Sequence, residues 1–163
     1  MQQPRNNSGA SVNHAGRRVL SFSTLIEIMP DVCSLEKGHR TIGVWSLAQI
    51  CRHLADAFDG SIDGFDLRNH RIKRFFLKKQ MLRVALTKGI PTNYSVDPKL
   101  TPRPGGSTEA ATASLAAAID RFVSHDGPLQ AHPLFGNMPR DTWDRVHRVH
   151  CAHHLSFALP AVR

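Results

Sequence analysis

Cysteine is scarce in this sequence, and long apolar runs are absent. Cys33, Cys51 and Cys151 are odd in number and widely spaced, with no CxxC pair; this argues against a disulfide framework and indicates a reducing, cytoplasmic compartment. No apolar stretch is long enough to span a bilayer. Residues 1–17 lack the apolar stretch of a signal peptide, so we expect a disordered N-terminal lead and then one domain over residues 18–163.

Acidic residues are absent between Asp66 and Asp97. The chain carries 21 basic and 13 acidic residues, and the excess of eight falls within residues 68–88, which we call the basic segment. We predict that this segment is helical and lies outside the core with its charges exposed, since lysine and arginine stems can cover apolar surface while their charges stay in water. Its basic residues are Arg68, Arg71, Lys73, Arg74, Lys78, Lys79, Arg83 and Lys88.

Strand signals are also scarce, because no convincing run alternates β-branched or aromatic residues with polar ones. Helix caps and amphipathic stripes recur instead, and Pro30 predicts a kink or a restart in the first helix. We therefore predict an all-α fold: a four-helix bundle with the basic segment as an extra helical insertion between the second and third bundle helices, and no sheet larger than a single bridge. The predicted bundle helices cover residues 23–37, 46–58, 107–126 and 139–159.

Histidine is concentrated on the last predicted helix. At about 100° per residue, Trp143 and Val146 lie within about 60° of His150, so His150 is expected at the centre of the core-facing side. Burying an imidazole without hydrogen-bond partners costs roughly 1–3 kcal/mol. A divalent cation held by His150 and its i+4 neighbour His154 would satisfy both rings. The alternative is a solvated, pH-sensitive histidine cluster.

A metal ion needs a third protein donor, and His53 on the second helix is the best candidate from elsewhere in the chain. It lies about 60° from Ile50, on the shoulder of that helix, where it could face a groove between helices or have a structural role alone. His147 is a candidate proton carrier, with a structural hydrogen bond as the alternative. No Asp or Glu adjoins these histidines in the manner of HExxH, so no general base is assigned.

Three sequence elements together resemble a known family. They are GVWSLAQICRHL at residues 43–54, HPLFG at residues 132–136 with Trp143 soon after, and HCAHHL at residues 150–155. This combination resembles the DinB-like (damage-inducible) superfamily of metal-binding four-helix bundles, and more narrowly a bacterial branch of it. The resemblance covers residues 23–159 and implies the same bundle. Pro30 and the length of the basic segment depart from the family pattern, but neither touches the three elements.

In that superfamily one histidine of the second helix and the first and last histidines of HxxHH bind the ion. The resemblance therefore implies His53, His150 and His154 as ligands, with His153 outside the set. It also links the chain to metal-dependent hydrolases and to transferases that use low-molecular-weight thiols. The expected ion is zinc, nickel, iron or manganese, with coordination positions open for water or a small-molecule substrate.

The basic segment supports an alternative function. A helix with cations around apolar residues is typical of a non-catalytic module that binds nucleic acid or an anionic membrane surface. Binding to phosphates would weaken steeply as salt rises, which separates this hypothesis from a merely solvated helix. The sequence also leaves a homodimer open.

Overall fold

Helices form most of the part of the protein that the structure describes. The computed structural model describes residues 16–65, 75–90 and 101–161; residues 1–15 of the predicted disordered lead (residues 1–17) and residues 68–74 of the basic segment lie outside these ranges. The described elements are a 3-10 turn at Leu25–Glu27, the helices α1 (Ile28–Glu36), α2 (Leu47–Asp63), α3 (Phe75–Lys88), α4 (Thr108–Ser124) and α5 (Arg140–Leu155), and the strands β1 (His39–Thr41) and β2 (Ala158–Pro160).

The first helix restarts close to its proline, as predicted. The chain passes from the 3-10 turn into α1 at Ile28, so Pro30 lies in the first turn of α1, where a missing N–H removes no helical hydrogen bond. α1 ends before Gly38, whose φ of +149° lies in a region that residues with a Cβ rarely adopt. This turn carries the chain directly into β1.

α2 and α4 form the central helix pair. A capping box begins α2: Ser46 Oγ accepts a hydrogen bond from the Gln49 backbone N–H at 3.2 Å, and the Gln49 side chain accepts one from the Ser46 N–H at 3.0 Å. Ser107 caps α4 by accepting a first-turn backbone N–H at 3.3 Å. Between the two helices Phe58 and Phe122 meet edge to face, with ring centroids 5.6 Å apart.

The buried core draws its side chains from α1, α2, α4 and α5. Each large apolar side chain that is fully buried contributes about 1.5–3 kcal/mol relative to exposure. The predicted apolar stripes are buried; they are Leu47, Ile50, Leu54 and Phe58 of α2, and Leu115, Ile119 and Phe122 of α4.

The expectation that no sheet exceeds a single bridge is wrong. β1 and β2 pair antiparallel over three residue pairs, so the last helix, predicted to reach residue 159, ends at Leu155. The carbonyl of Ser156 accepts a hydrogen bond from the Arg18 N–H at 3.1 Å, which replaces the partner that a further helical turn would have supplied. Pro160 ends β2, a position where a missing N–H is tolerated.

The described part of the basic segment is helical, as predicted, and forms α3, which packs against α5. Lys79, Arg83 and Lys88 are exposed and Lys78 is half-buried, while Ala85 is buried. The charges of α3 therefore face outward, in agreement with the predicted position outside the core. None of the helices in the described ranges is both long enough and apolar enough to cross a membrane.

Candidate metal centre

Three histidines from two helices converge at one point. His53 of α2 and His150 and His154 of α5 each offer a ring nitrogen, and these three atoms lie within 4.8 Å of one another. The ring centroids of His53 and His150 are 4.9 Å apart, those of His53 and His154 4.6 Å, and those of His150 and His154 4.7 Å. The rings thus form a nearly equilateral triangle. The structure brings together the three residues named from the sequence.

Local structure explains this placement. The capping box at Ser46 fixes the start of α2, and with it the direction of His53 about two turns later. His53 is only 7% exposed and faces α5, which packs against α2. His150 and His154 are four residues apart, so their side chains project from the same side of α5.

The distances fit a divalent ion. In tetrahedral coordination at about 2.0–2.1 Å, neighbouring donor nitrogens are about 3.3 Å apart. The Nε2 atoms of His53 and His150 are 3.1 Å apart. The ring planes meet at 67° to 79°, so the rings approach a common point from different directions. The third nitrogen, on His154, lies within 4.8 Å of the other two.

Burial and neighbouring charges keep His150 and His154 neutral. Burial is the main cause that lowers the pKa of His150 well below its usual range, and the neighbouring histidines add to it. Burial also lowers the pKa of His154, with His53, His153 and Arg17 as smaller contributors. A neutral imidazole has the free lone pair that a metal ion needs, so these side chains are ready to bind one near pH 7.

The donor group contains histidines alone, since no Asp, Glu or Cys of the described ranges joins it. Cys51 and Cys151 neighbour the ligands in sequence, but both are buried and free. Burial raises the pKa of Cys51 to about 12, so this side chain is a thiol and not the thiolate that binds metals. Three imidazole donors leave coordination positions open, as catalytic metal sites do.

Trp45 forms a wall of the site, a role that sequence reasoning missed. Its ring stacks on His154 with centroids 5.2 Å apart and planes at 10°, and it lies 4.9 Å from the His53 ring. Trp45 immediately precedes the capping residue Ser46, so the turn that starts α2 also positions the indole. Its place beside the capping residue was the signal available in the sequence.

His153 takes a different direction from its neighbour. It is not in the converging donor group of the described residues. Its ring meets His154 edge to face at 4.8 Å and also contacts Phe157 at 5.7 Å. This geometry favours its assignment outside the ligand set.

His147 lies deeper than helical geometry predicted. The core-facing side of α5 was expected to centre on His150, yet His150 is half-buried and His147 is only 2% exposed. The reason is that Phe58 of α2 and Phe122 of α4 press on this part of α5, with ring centroids 4.0 and 4.7 Å from His147. With Trp143 at 5.1 Å they form what we call the aromatic cluster (Phe58, Phe122, Trp143 and His147).

The aromatic cluster is a poor environment for proton transfer. Burial is the main cause that lowers the pKa of His147 to about 3, with a smaller contribution from His132. Its Nε2 is buried without a hydrogen-bond partner among the described residues. The geometry therefore favours a packing role for His147 over a proton carrier.

His132 holds the connector between α4 and α5. Its Nδ1 accepts hydrogen bonds from the backbone N–H groups of Leu134 and Phe135 at 3.0 and 3.2 Å. Its backbone forms a bridge with Gly136, whose φ of +76° suits a glycine. Burial lowers the pKa of His132 to about 4. His132 thus acts as a fixed, neutral acceptor that shapes the loop.

Comparison with known proteins places the chain in a family but identifies no individual protein that matches it. No curated protein and no solved structure matches it. Residues 14–161 match the model of a family described as "Protein of unknown function (DUF1569)", and because this match covers nearly the whole chain, the protein belongs to that family.

Proposed function

We propose that the protein binds one divalent metal ion through one ring nitrogen each of His53, His150 and His154. The observation that carries this proposal is the convergence of three imidazole donors, from two helices, within 4.8 Å. A lone buried histidine is common, but three imidazoles crowded around one point are costly, because each gives up hydration. A shared cation offsets that cost.

The fold assignment within this proposal is a DinB-like four-helix bundle. Its core helices are α1, α2, α4 and α5, which supply the buried side chains, and α3 is the basic insertion. The ligand positions support it: one histidine comes from the second bundle helix and two come from HxxHH on the last. The 3-10 turn and the small sheet lie at the ends of these helices, outside the ligand set.

The reaction we propose is metal-dependent hydrolysis or transfer of a low-molecular-weight thiol. A bound divalent ion supplies Lewis acidity at its open positions. The chain's own contribution is to orient the three rings and to shield one side of the site with Trp45, which stacks on His154. No carboxylate in the described ranges joins the donor group, so a proton would move through solvent or substrate groups.

Ligand chemistry ranks the candidate ions. Imidazole donors suit zinc, nickel and iron, whereas manganese favours carboxylate oxygens. Because His53, His150 and His154 form an all-nitrogen donor set, we place zinc and nickel first, iron next and manganese last.

Metal analysis of protein purified without a histidine tag tests the proposal. We expect about one ion per chain in the wild type and almost none in His150→Ala. His153→Ala is the matched control, since it removes a histidine of the same helix and should keep most of the metal. Equal loss from both variants, or a wild type that binds no ion from added zinc or nickel, would overturn the site.

A second candidate function rests on α3. Its exposed Lys79 and Arg83 have no acidic partner among the described residues, which favours contact with an anionic surface. Retention on nucleic acid or anionic vesicles at low salt, lost as salt rises and lost in the Lys79→Glu/Arg83→Glu double variant, would support this function. Absence of retention at low salt excludes it.

A further inference from the structure

A cleft of about 450 Å³ lies on the side of α5 that faces away from the metal centre. Its walls come from residues 17, 18 and 20–22, from residues 86 and 88–90 at and just after the end of α3, and from the α5 face that carries Arg145 and Val149. We call it the outer cleft. Around the helix axis this face lies about 150° from His150 and His154. Its volume is within the range of small-molecule sites.

Positive charge dominates the outer cleft. Two of its arginines have carboxylate partners: Arg18 with Asp31 and Arg148 with Asp144, each at 2.6 Å. The charges of Asp31 and Asp144 are therefore balanced by Arg18 and Arg148, and neither carboxylate is left to balance another cation of the cleft.

Three further cations in the cleft have no acidic partner in the described part of the chain: Arg17, Arg145 and Lys88. Arg17 donates to the Ser156 hydroxyl at 2.6 and 2.9 Å and lies over the Phe157 ring at 4.2 Å, which orients the guanidinium but supplies no carboxylate to balance its charge. Burial lowers the pKa of Arg17, an effect that an anion in the cleft would offset.

Part of the remaining lining is apolar and part is polar, the polar part including Ser21, His153 and Ser156. Leu20, Leu86 and Val149 line the same cleft as the three cations. A cleft lined by several cations together with apolar side chains fits a molecule that carries an anionic group on a small organic body. Three uncompensated cations match the two charges of a phosphoryl group better than the single charge of a carboxylate, and arginine and lysine both bind phosphate.

We propose that the outer cleft binds a small phosphorylated molecule. Its phosphoryl group lies among Arg17, Lys88 and Arg145, and its organic part rests on the apolar wall. Lys88 and Arg145 are exposed at the mouth of the cleft, so they are the first cations that an entering anion meets. This site is distinct from the proposed metal centre, because none of His53, His150 and His154 lines the cleft, although His153 lines it and its ring meets His154 at 4.8 Å.

Titration calorimetry with inorganic pyrophosphate on metal-free protein at low salt tests the proposal. We expect Lys88→Glu and Arg145→Glu each to weaken binding by about tenfold or more. Arg103→Glu is the matched control, since it reverses an exposed arginine elsewhere on the chain and should leave binding within about twofold. Circular dichroism checks folding, and Lys88→Gln and Arg145→Gln serve if a charge reversal unfolds the protein.

Three results would overturn the inference. They are no pyrophosphate binding by the wild type, equal weakening in Arg103→Glu, and loss of binding in His150→Ala. The last would assign the anion to the metal centre. Tighter binding of citrate than of pyrophosphate would reject the phosphoryl class. Metal content measured on the same Lys88 and Arg145 variants should equal that of the wild type, which separates this test from that of the metal centre.

Discussion

The proposed metal centre and the aromatic cluster meet α5 about one turn apart, and the surroundings of their histidines differ. In the metal centre, His150 faces His53 nitrogen to nitrogen at 3.1 Å, and His154 completes the triangle. In the aromatic cluster, His147 is stacked on Phe58 at 4.0 Å and its Nε2 has no hydrogen-bond partner in the described ranges. Burial lowers the pKa of His147 and His150 alike. A buried, neutral histidine is therefore no sign of a ligand by itself; the convergence of donor atoms is.

The largest expected effect is on metal affinity, which should fall when the proposed metal centre is changed and not when the aromatic cluster is changed. His53→Ala removes the donor from α2, and we expect zinc or nickel affinity to fall by more than about a hundredfold, beyond the 10–100-fold typical of residues around the ligands. His147→Leu alters the aromatic cluster and should keep wild-type affinity. Competition with a chromophoric chelator measures both. Comparable losses from the two variants would erase the distinction between the groups.

The second prediction concerns stability. A metal ion that binds only the folded protein stabilises it by about 2.7 kcal/mol at a free concentration of 100 Kd. Because the ligands come from α2 and α5, the ion should act as a clamp between these helices. Urea unfolding with and without zinc measures the gain, which His154→Ala should abolish and His153→Ala should keep. A gain that persists in His154→Ala would mean that the ion binds elsewhere.

The third prediction uses the pH dependence of the aromatic cluster. In metal-free protein the pKa of His147 is about 3 against 6.5 when exposed, so the unfolded chain binds more protons below pH 6.5. The contribution of His147 is thus fully present above pH 6.5 and is lost as pH falls toward 3. At pH 5 the expected loss is about 2 kcal/mol.

Urea unfolding at pH 7.5 and pH 5.0 checks this value. His147→Leu should lose about 2 kcal/mol less stability than the wild type between the two pH values, since leucine takes up no proton. Phe122→Leu is the control: it disturbs the same cluster without a titratable group and should lower stability equally at both values. An unchanged pH dependence in His147→Leu would show that the histidine is solvated and not buried.

The sequence predicted the histidines of the proposed metal centre better than it predicted the end of the last helix. The i, i+4 spacing of His150 and His154 and the resemblance around His53 were enough to name the residues that the structure brings together. Helical geometry did not predict how deeply each histidine of α5 is buried, because it considers one helix alone. Phe58 and Phe122 come from other helices and bury His147.

The pairing of β1 with β2 was not predicted, for a related reason. It joins residues 39–41 to residues 158–160, and neither stretch has a strand pattern of its own. The contact of Trp45 with His154 is also long-range and became visible only in three dimensions. Local pattern thus predicted the helices and the three histidines that come together, whereas contacts between distant segments set the depth of each side chain and the end of the last helix.

The smallest expected effect concerns Trp45. Its fluorescence reports on the proposed metal centre, whereas that of Trp143 reports on the aromatic cluster. Trp45 stacks on His154 of the metal centre, and the other tryptophan, Trp143, belongs to the aromatic cluster. Binding of nickel or copper should quench the fluorescence of Trp45 strongly and that of Trp143 more weakly, because the indole of Trp45 lies directly against a ligand. In Trp45→Phe most of the quenching should disappear.

The same variant tests how much the indole contributes to the site. A stacked aromatic pair is worth about 0.5–1.5 kcal/mol beyond burial, and phenylalanine keeps part of it. We therefore expect nickel affinity in Trp45→Phe to fall by less than about tenfold, while Trp143→Phe keeps both the affinity and the quenching. If quenching instead follows Trp143, the ion lies beside the aromatic cluster and not among His53, His150 and His154. A loss of affinity as large as that expected for His53→Ala would show that Trp45 is required for the structure of the site and does not only cover one side of it.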